Sequence, residues 1–405
     1  MAVAYYISVT LALFAGTLPA QVLGVIWEPI GASIPVEIPY IALLRLLGGA
    51  GAVVAVILSD RIRGYILARD FIVGAIALEA VSLIGFSLSR EFWNLAVWIT
   101  ALGFSGGLCL TLICYLLRET WSKKTGMLFA SSACGAAAGV YLVSRILSMG
   151  RSWRTACQTL AIVQIVLCLS VFFLRRTLLR DVAVILKKQK KEMEMLRFRR
   201  REKLIRENGE VDERYEDAWL IRLLFLYGSA VCCGLLLLSA IHLTYSVQVT
   251  QSDPSADLTL AVLMVCGGMA AGRVLIFILK RNVRSVCVIG AACSLGSLAV
   301  SAILARMGQD GAVVWFIVRF GTGFGAGMIF PYLIQLDDER VDHEAQICMT
   351  GLIPAFYLGA DAMITPFVQS MSQSFHMGGC IFVLFILTCC MSVCLAFALV
   401  RVKKR

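Results

Sequence analysis

The chain contains 405 residues, of which 59% are hydrophobic and 16% charged, and its mean hydropathy is +0.83. Soluble domains average about 45–50% apolar and about 25% charged residues, so this composition excludes a water-soluble globule. It also excludes an intrinsically disordered chain, because disordered segments are poor in apolar residues. The remaining class is a protein that crosses a membrane several times.

Twelve apolar runs follow one another along the chain. A helix needs about 20 apolar residues to cross a bilayer core about 30 Å thick, and we expect each run to form such a span. The first run has no basic n-region and no cleavage site, which favours an uncleaved helix over a signal peptide. The runs lie near residues 3–27, 38–59, 71–89, 92–117, 126–149, 153–175, 218–247, 256–280, 284–305, 311–336, 345–371 and 375–402.

This order predicts an all-α membrane protein with twelve transmembrane helices in two pseudo-symmetric six-helix bundles. The N-terminal bundle covers 1–175 and the C-terminal bundle 218–405, with a charged linker at 176–217 between them. Loops on the linker's side of the membrane, the linker itself and the C-terminal tail hold 29 Lys and Arg, and the opposite loops hold 4. By the positive-inside rule, both termini and the linker lie in the cytoplasm, which predicts a multi-pass protein of the cytoplasmic membrane.

The residue inventory argues against several other functions. The net charge of +11 is spread over loops next to the membrane, where anionic lipid headgroups attract it, so the bilayer is an expected partner and nucleic acid is not. The fifteen cysteines lie singly or as adjacent pairs in apolar runs, and we expect no metal and no cofactor. No GxxxxGK[ST] loop is present for ATP. His242, His343 and His376 are far apart, so a membrane enzyme with clustered catalytic groups is not expected.

Weak internal similarity links the two halves. The segment from Gly51 to Arg63 aligns with the one from Gly272 to Arg284, in spans 2 and 8. The glycine-rich sequence GFSGG at 103–107 in span 4 aligns with GFGAG at 323–327 in span 10. Both matches fall at equivalent spans of a six-plus-six arrangement, which favours an internal repeat.

These residues resemble the major facilitator superfamily. Its features here are the charged turn SDRIRG at 59–64 and the glycine-rich spans 4 and 10. The segments GFS at 85–87, Trp153-Arg154, Gly268 to Arg273 and Phe330-Pro331 are similar to the branch that contains fucose and other sugar–proton symporters. The resemblance implies two bundles around a central cavity, lined mainly by spans 1, 4, 7 and 10, that opens to each side of the membrane in turn.

We therefore expect a secondary transporter of a small organic solute, with proton coupling and the direction of transport left open. The symporters of that branch carry acidic residues in spans 1 and 4. Here span 1 offers only the uncharged Gln21, a candidate for the substrate pathway, and a terminal Glu28, and span 4 has no carboxylate. A degenerate, non-transporting sensor or partner-binding protein of the same fold is thus the alternative.

Six ionisable residues lie inside the predicted spans, where each would cost about 2.5–3.5 kcal/mol at mid-membrane and is a functional candidate by default. Arg319 and Asp361, on spans 10 and 11, differ in depth by only about 3 Å, which predicts an ion pair that is either a structural latch or a cavity charge for an anionic solute. Glu79 lies on span 3, which the resemblance places at the periphery, and this position favours a role in helix packing. A role as proton carrier is the second interpretation. The others are Arg45, Arg145 and Arg273.

Further candidates lie at the two ends of the membrane. His242, near the outer end of span 7, is either a substrate contact or an interfacial hydrogen-bonding residue. At the inner end, the resemblance implies a gate formed by Asp60, Arg61 and Arg63, with Asp337 to Glu339 as a matching acidic partner. Arg273 either contributes to this gate or extends its side chain to the lipid headgroups.

The Arg319–Asp361 proposal predicts two distinct phenotypes. Arg319→Ala is expected to abolish solute transport, because it removes the cavity cation, and Asp361→Asn is expected to alter the pH dependence of transport. Uptake assays at several pH values measure both. If both variants transport like the wild type, the two residues are no more than a latch.

Overall fold

A computed structural model describes residues 2–34, 38–62, 68–119, 125–174, 214–250, 256–279, 283–307, 311–333, 353–354, 356–360 and 377–399. The regular elements among these residues are all helices. Helix α1 has two segments, Ala2–Thr17 and Val22–Ser33. It is followed by α2 (Ile38–Ile62), α3 (Ala68–Leu88), α4 (Phe92–Glu119), α5 (Thr125–Ser148), α6 (Trp153–Leu174), α7 (Arg214–Thr250), α8 (Leu258–Leu279), α9 (Val283–Arg306), α10 (Gly311–Leu333), α11 (described at 356–360) and α12 (Met377–Leu399).

Ten of the described helices are long and apolar enough to cross a membrane, counting the two segments of α1 as one. The part of α2 whose side chains are described, Leu43–Ser59, forms a shorter apolar helix. Most of the predicted eleventh span, and residues 176–213 of the predicted linker at 176–217, lie outside the described residues. The last four residues of that linker, 214–217, belong to the first turn of α7. The all-helical membrane architecture is thus confirmed, and the count of twelve spans remains a prediction.

The surface of the molecule is that of a protein in lipid. Large apolar side chains point outward on several helices: Trp93, Val97, Ile162, Phe173 and Phe382 are 61–73% exposed. A soluble monomer rarely exposes apolar surface on this scale. The outward faces of these helices are therefore the surface that contacts the acyl chains.

The first span is broken, whereas the sequence predicted one continuous helix. The chain turns at 18–21, where the amide of Leu18 donates to Ala15 O at 3.1 Å and that of Ala20 to Thr17 O at 3.1 Å. The Thr17 hydroxyl also donates to Ser132 O of α5 at 2.8 Å. Because these bonds satisfy backbone groups inside the protein, the break is tolerated at membrane depth.

Glycines bring α2 and α4 into backbone contact. A Cβ on Gly103 would overlap the carbonyl oxygen of Gly48, and one on Gly107 would lie 2.6 Å from Ala52 O. Small residues at such positions allow membrane helices to approach closely, which gains dispersion energy where no hydrophobic effect operates.

The same contact recurs between α8 and α10 in the second half of the chain. A Cβ on Gly323 would overlap the carbonyl oxygen of Val265, and one on Gly327 would lie 2.6 Å from the Cα of Met269. The two glycine-rich segments that align in sequence thus have the same packing role in both halves.

The register between spans 2 and 8 differs from the sequence alignment. Gly51 lies against the α4 backbone at Thr100, and Gly268 lies against the α10 backbone at Phe320, the counterpart of Thr100. Gly51 therefore corresponds to Gly268, one helical turn before the Gly272 with which the sequence pairs it. The close backbone contacts of α2 with α4 and of α8 with α10 set this register. The sequence alignment instead matched the charged turns that follow α2 and α8.

The two halves of the chain meet along α5 and α8, which pack against each other. Near the predicted outer end of this pair, the Thr259 hydroxyl donates to Ser144 Oγ at 3.1 Å. A single buried apolar cluster also includes residues from both halves, among them Leu112, Phe129, Leu236 and Phe330.

We expect Gly103→Ala to destabilise the fold, because its methyl group would push α2 away from α4. Overpacking of this kind costs about 1–3 kcal/mol. Thermal unfolding of the purified protein in detergent measures the effect as a lower Tm.

Gly74→Ala is the matched control for this variant. Gly74 is exposed on α3, and a Cβ there meets nothing within 4 Å. Equal Tm values for the two variants would show that α2 and α4 do not depend on a backbone contact.

Candidate functional site

A cavity lies among α1, α2, α3 and α4, and Leu358 of α11 also lines it. About 150 Å³ of it can hold the centres of water molecules, and the space between its lining atoms, including the open mouth, is about 900 Å³. Its walls are mostly glycine and apolar side chains. The polar side chains that line it are Thr17, Gln21, Arg45 and Glu79.

Glu79 reaches this cavity from α3, the helix for which the sequence favoured a packing role. Its side chain is fully buried. Oε2 accepts a short hydrogen bond from the Gln164 amide of α6, and the same amide nitrogen donates to Ala15 O at 3.0 Å. Oε1 has no hydrogen-bond partner among the described residues. A buried carboxyl with one unsatisfied oxygen is costly in a fold and is typical of a functional group.

Arg45 and His242 meet at the predicted outer end of the cavity. A guanidinium nitrogen of Arg45 donates to His242 Nε2 at 2.9 Å, since an arginine has no acceptor atom. This bond joins α2 of the first half to α7 of the second. A Cβ on Gly24 of α1 would lie 3.2 Å from the other guanidinium nitrogen, so the absence of a side chain there makes room for the pair.

Arg273 joins the two halves at the predicted inner end. It is only 2% exposed, so the expectation that its side chain reaches the lipid headgroups is wrong. From α8 it donates to Phe129 O at 2.7 Å and to Ser132 Oγ at 2.8 Å on α5, and to Gly327 O of α10 at 3.2 Å. Neighbouring elements thus satisfy the guanidinium that a mid-membrane position would otherwise leave unsolvated.

An aromatic cluster lies beside Arg273. The ring of Phe330 is 6.1 Å from that of Phe129 and 4.3 Å from that of Tyr357. The guanidinium of Arg273 is 6.0 Å from the centre of the Phe129 ring. Side chains from α5, α8, α10 and α11 therefore meet in one cluster that includes residues of both halves.

Arg319 is not among the residues that line this cavity. It is 1% exposed, and its Nε donates to Thr244 Oγ1 of α7 at 2.8 Å, while Nη2 makes a short hydrogen bond to Gln248 Oε1. Its guanidinium also lies 5.8 Å from the centre of the Trp315 ring. In the described residues it therefore joins α10 to α7.

Several predicted site residues lie outside what the structure describes. Asp361, the expected partner of Arg319, is one, as are Arg63 and the acidic residues 337–339. Asp60 and Arg61 fall in the last turn of α2, but their side chains are also outside the description. No group of three or more His, Cys, Asp or Glu in the described ranges is arranged to hold a metal ion.

Sequence analysis missed Gln164, Thr244 and Gln248 as partners of the buried charges. Each is a single uncharged polar residue in an apolar helix, a pattern with low specificity. A signal was present nonetheless, since polar residues inside a span usually bond across helices.

Membrane-length helices packed around a cavity with a few polar side chains are typical of helical membrane transport proteins. The family model described as Major Facilitator Superfamily matches residues 5–357. The chain belongs to this superfamily of membrane transporters.

Structural comparison agrees with this assignment. The proton:xylose symporter XylE, solved with bound 6-bromo-6-deoxy-D-glucose, is similar over 98% of this chain and 94% of its own, with a TM-score of 0.70. The two sequences are 13% identical, so the likeness is one of fold. No curated protein matches the chain.

We expect Arg273→Lys to lower the Tm substantially, because an ammonium group cannot reach the acceptors on α5 and α10 together. Each hydrogen bond to a charged group contributes about 1.5–3 kcal/mol. Thermal unfolding is the measurement. The control is Arg145→Lys, since Arg145 is exposed near the end of α5. Equal Tm shifts for the two variants would contradict a bridging role.

Proposed function

We propose that this protein is a secondary transporter that moves a small organic solute across the cytoplasmic membrane by alternating access. Twelve helices in two bundles, 1–175 and 218–405, would enclose the transport path. Membership of the superfamily supports the transporter class, and the ten described spans support the architecture.

The position of the cavity carries this proposal. It lies between two contacts that join the halves of the chain: Arg45 with His242 at one end, and Arg273 with Phe129 and Ser132 at the other. In alternating access, one of these contacts would open while the other stays closed. The two contacts are thus suited to act as alternate gates, each made of hydrogen bonds that can break and reform.

The polar lining of the cavity supports a small solute with polar groups. Glu79 offers a carboxyl group and Arg45 a guanidinium, and Gln21 and Thr17 offer neutral donors and acceptors. If transport is coupled to protons, Glu79 is the carboxyl at this cavity that could carry them. The inner turn with Asp60, Arg61 and Arg63 would hold the bundles together when the outer side is open.

Two experiments in sequence test the proposal. A thermal-shift screen of the purified protein against sugars, organic acids, amines and amphiphilic drugs identifies a solute that binds the folded state, because such binding raises the Tm. Counterflow in proteoliposomes loaded with that unlabelled solute then measures exchange.

We expect labelled solute to accumulate against an equal concentration in loaded proteoliposomes and not in protein-free liposomes. Gly74→Ala is expected to behave as the wild type, because a Cβ there meets nothing within 4 Å and Gly74 is not among the residues that line the cavity. Binding without exchange would contradict transport and favour a non-transporting sensor of the same fold.

A further inference from the structure

The contact between Arg45 and His242 requires a neutral histidine. The guanidinium of Arg45 has only donors, so Nε2 of His242, which lies 2.9 Å from a guanidinium nitrogen, is the acceptor. A ring nitrogen that accepts a hydrogen bond carries no proton, and the proton of a neutral imidazole is then on the other nitrogen, Nδ1. The contact that joins the two halves at the predicted outer end therefore exists in one protonation state of His242.

The pair lies at the wall of the cavity, where three helices meet. Arg45 of α2 and Gly24 of α1 both line the cavity, and His242 approaches them from α7. A Cβ on Gly24 would lie 3.2 Å from Nη2 of Arg45 and 3.4 Å from Cε1 of His242. Loss of the hydrogen bond would therefore remove a link between the two halves of the chain directly beside the cavity.

The other described charges near this part of α7 do not contact the imidazole. Tyr245 of α7 interacts electrostatically with Glu28 of α1 and Asp257 of α8, whose carboxylates are exposed. Arg319 of α10 bonds to α7 two and six residues beyond the histidine, which is a different side of the helix. Helix α12 packs on α7 and has no acidic or basic residue between 377 and 399. The described cation in contact with the imidazole is thus the guanidinium from α2.

Protonation of Nε2 would reverse this contact. Two N–H donors and two positive charges would then face each other across the same 2.9 Å. We propose that His242 is the proton acceptor of the outer contact: a proton from the outer solution binds Nε2, the hydrogen bond from Arg45 breaks, and the outer side of the cavity opens. The inference rests on the proposed transport function and names the group through which external acid acts on it.

The direction of the pH dependence follows from which state can bind the proton. In the closed contact, the lone pair of Nε2 accepts from Arg45 and is not available to a proton. In the open state the ring meets water, and a hydrated histidine titrates near about pH 6.5. A fall in external pH through this range therefore favours the open state, by at most about tenfold per pH unit for one proton. At higher pH the neutral ring accepts from Arg45 again and the contact closes.

The burial of the two titratable candidates favours His242 over Glu79 as the pH-sensitive group. His242 is 9% exposed, whereas Glu79 is 0% exposed and bonds to Gln164 within the protein. Water that enters from the outer side therefore reaches the imidazole before it reaches the carboxyl. This role also needs no carboxylate in the first or fourth span, where the sequence offers only Glu28 at the end of the first.

Thiol labelling of a reporter in the cavity tests the proposal. The reporter is Gln21→Cys in the full-length protein, because Gln21 lines the cavity, and the reagent is a charged maleimide added outside intact cells. The labelling rate is divided by that of glutathione at the same pH, after subtraction of the rate for the chain without the reporter. Between about pH 8 and about pH 5.5, we expect this corrected rate to rise several-fold, up to about tenfold per pH unit.

Two variants that also contain the reporter should remove this rise in different ways. His242→Gln keeps an acceptor for Arg45 but takes up no proton in this range. Arg45→Gln replaces the guanidinium by a neutral amide, so protonation of His242 no longer opposes two cations. We expect a corrected rate that is independent of pH in both. The matched control is Arg145→Gln, which removes an exposed arginine in the last turn of α5 and should keep the wild-type rise.

A corrected rate that stays constant with pH in the wild-type background would overturn the proposal. A wild-type rise in either folded variant would overturn it too, since another group would then be titrating. Each variant tests the pair separately, so one that does not fold leaves the other as the test. Because labelling needs no solute, a failure of counterflow would count against transport alone.

Discussion

The structure depends on one constraint: inside a bilayer, every charged or polar group must find its partner within the protein. Arg273 meets this constraint with acceptors on α5 and α10, Arg319 with hydroxyl and amide groups of α7, and Arg45 with His242. Each arginine therefore joins helices that are distant in sequence. Their hydrogen bonds hold these helices together. The hydrophobic effect does not do so inside a bilayer, because lipid acyl chains are as apolar as the helix surfaces.

Helix packing also requires that backbones approach each other closely, and glycine allows this. The contacts of Gly103 with α2 and of Gly323 with α8 bring backbones together in both halves by the same geometry. Glycine is also found where the cavity wall is tightly packed: a Cβ on Gly16 would lie 2.6 Å from Cys109 Sγ, and one on Gly106 would lie 3.5 Å from Glu79 Oε1. Packing and site formation in this protein thus draw on one property of glycine, the lack of a Cβ.

The two contacts between the halves differ in chemistry. At the predicted outer end, a guanidinium nitrogen of Arg45 donates to His242, whereas at the inner end Arg273 donates to α5 beside the rings of Phe129 and Phe330. The outer contact therefore joins two polar side chains, and the inner contact combines hydrogen bonds with aromatic packing.

The sequence by itself determined the membrane class and the approximate positions of the ten described spans, because length and hydropathy are local properties. It also found the glycine segments of α4 and α10, whose roles the structure repeats. It could not determine that Glu79 faces a cavity, that Arg273 is buried, or that Gln164 lies beside Glu79. Those facts depend on the rotation of each helix about its axis and on its neighbours, which contacts between distant residues decide. The one-turn difference between Gly51 and Gly272 arises for the same reason: a helix's register is set by what it packs against, not by the loop that follows it.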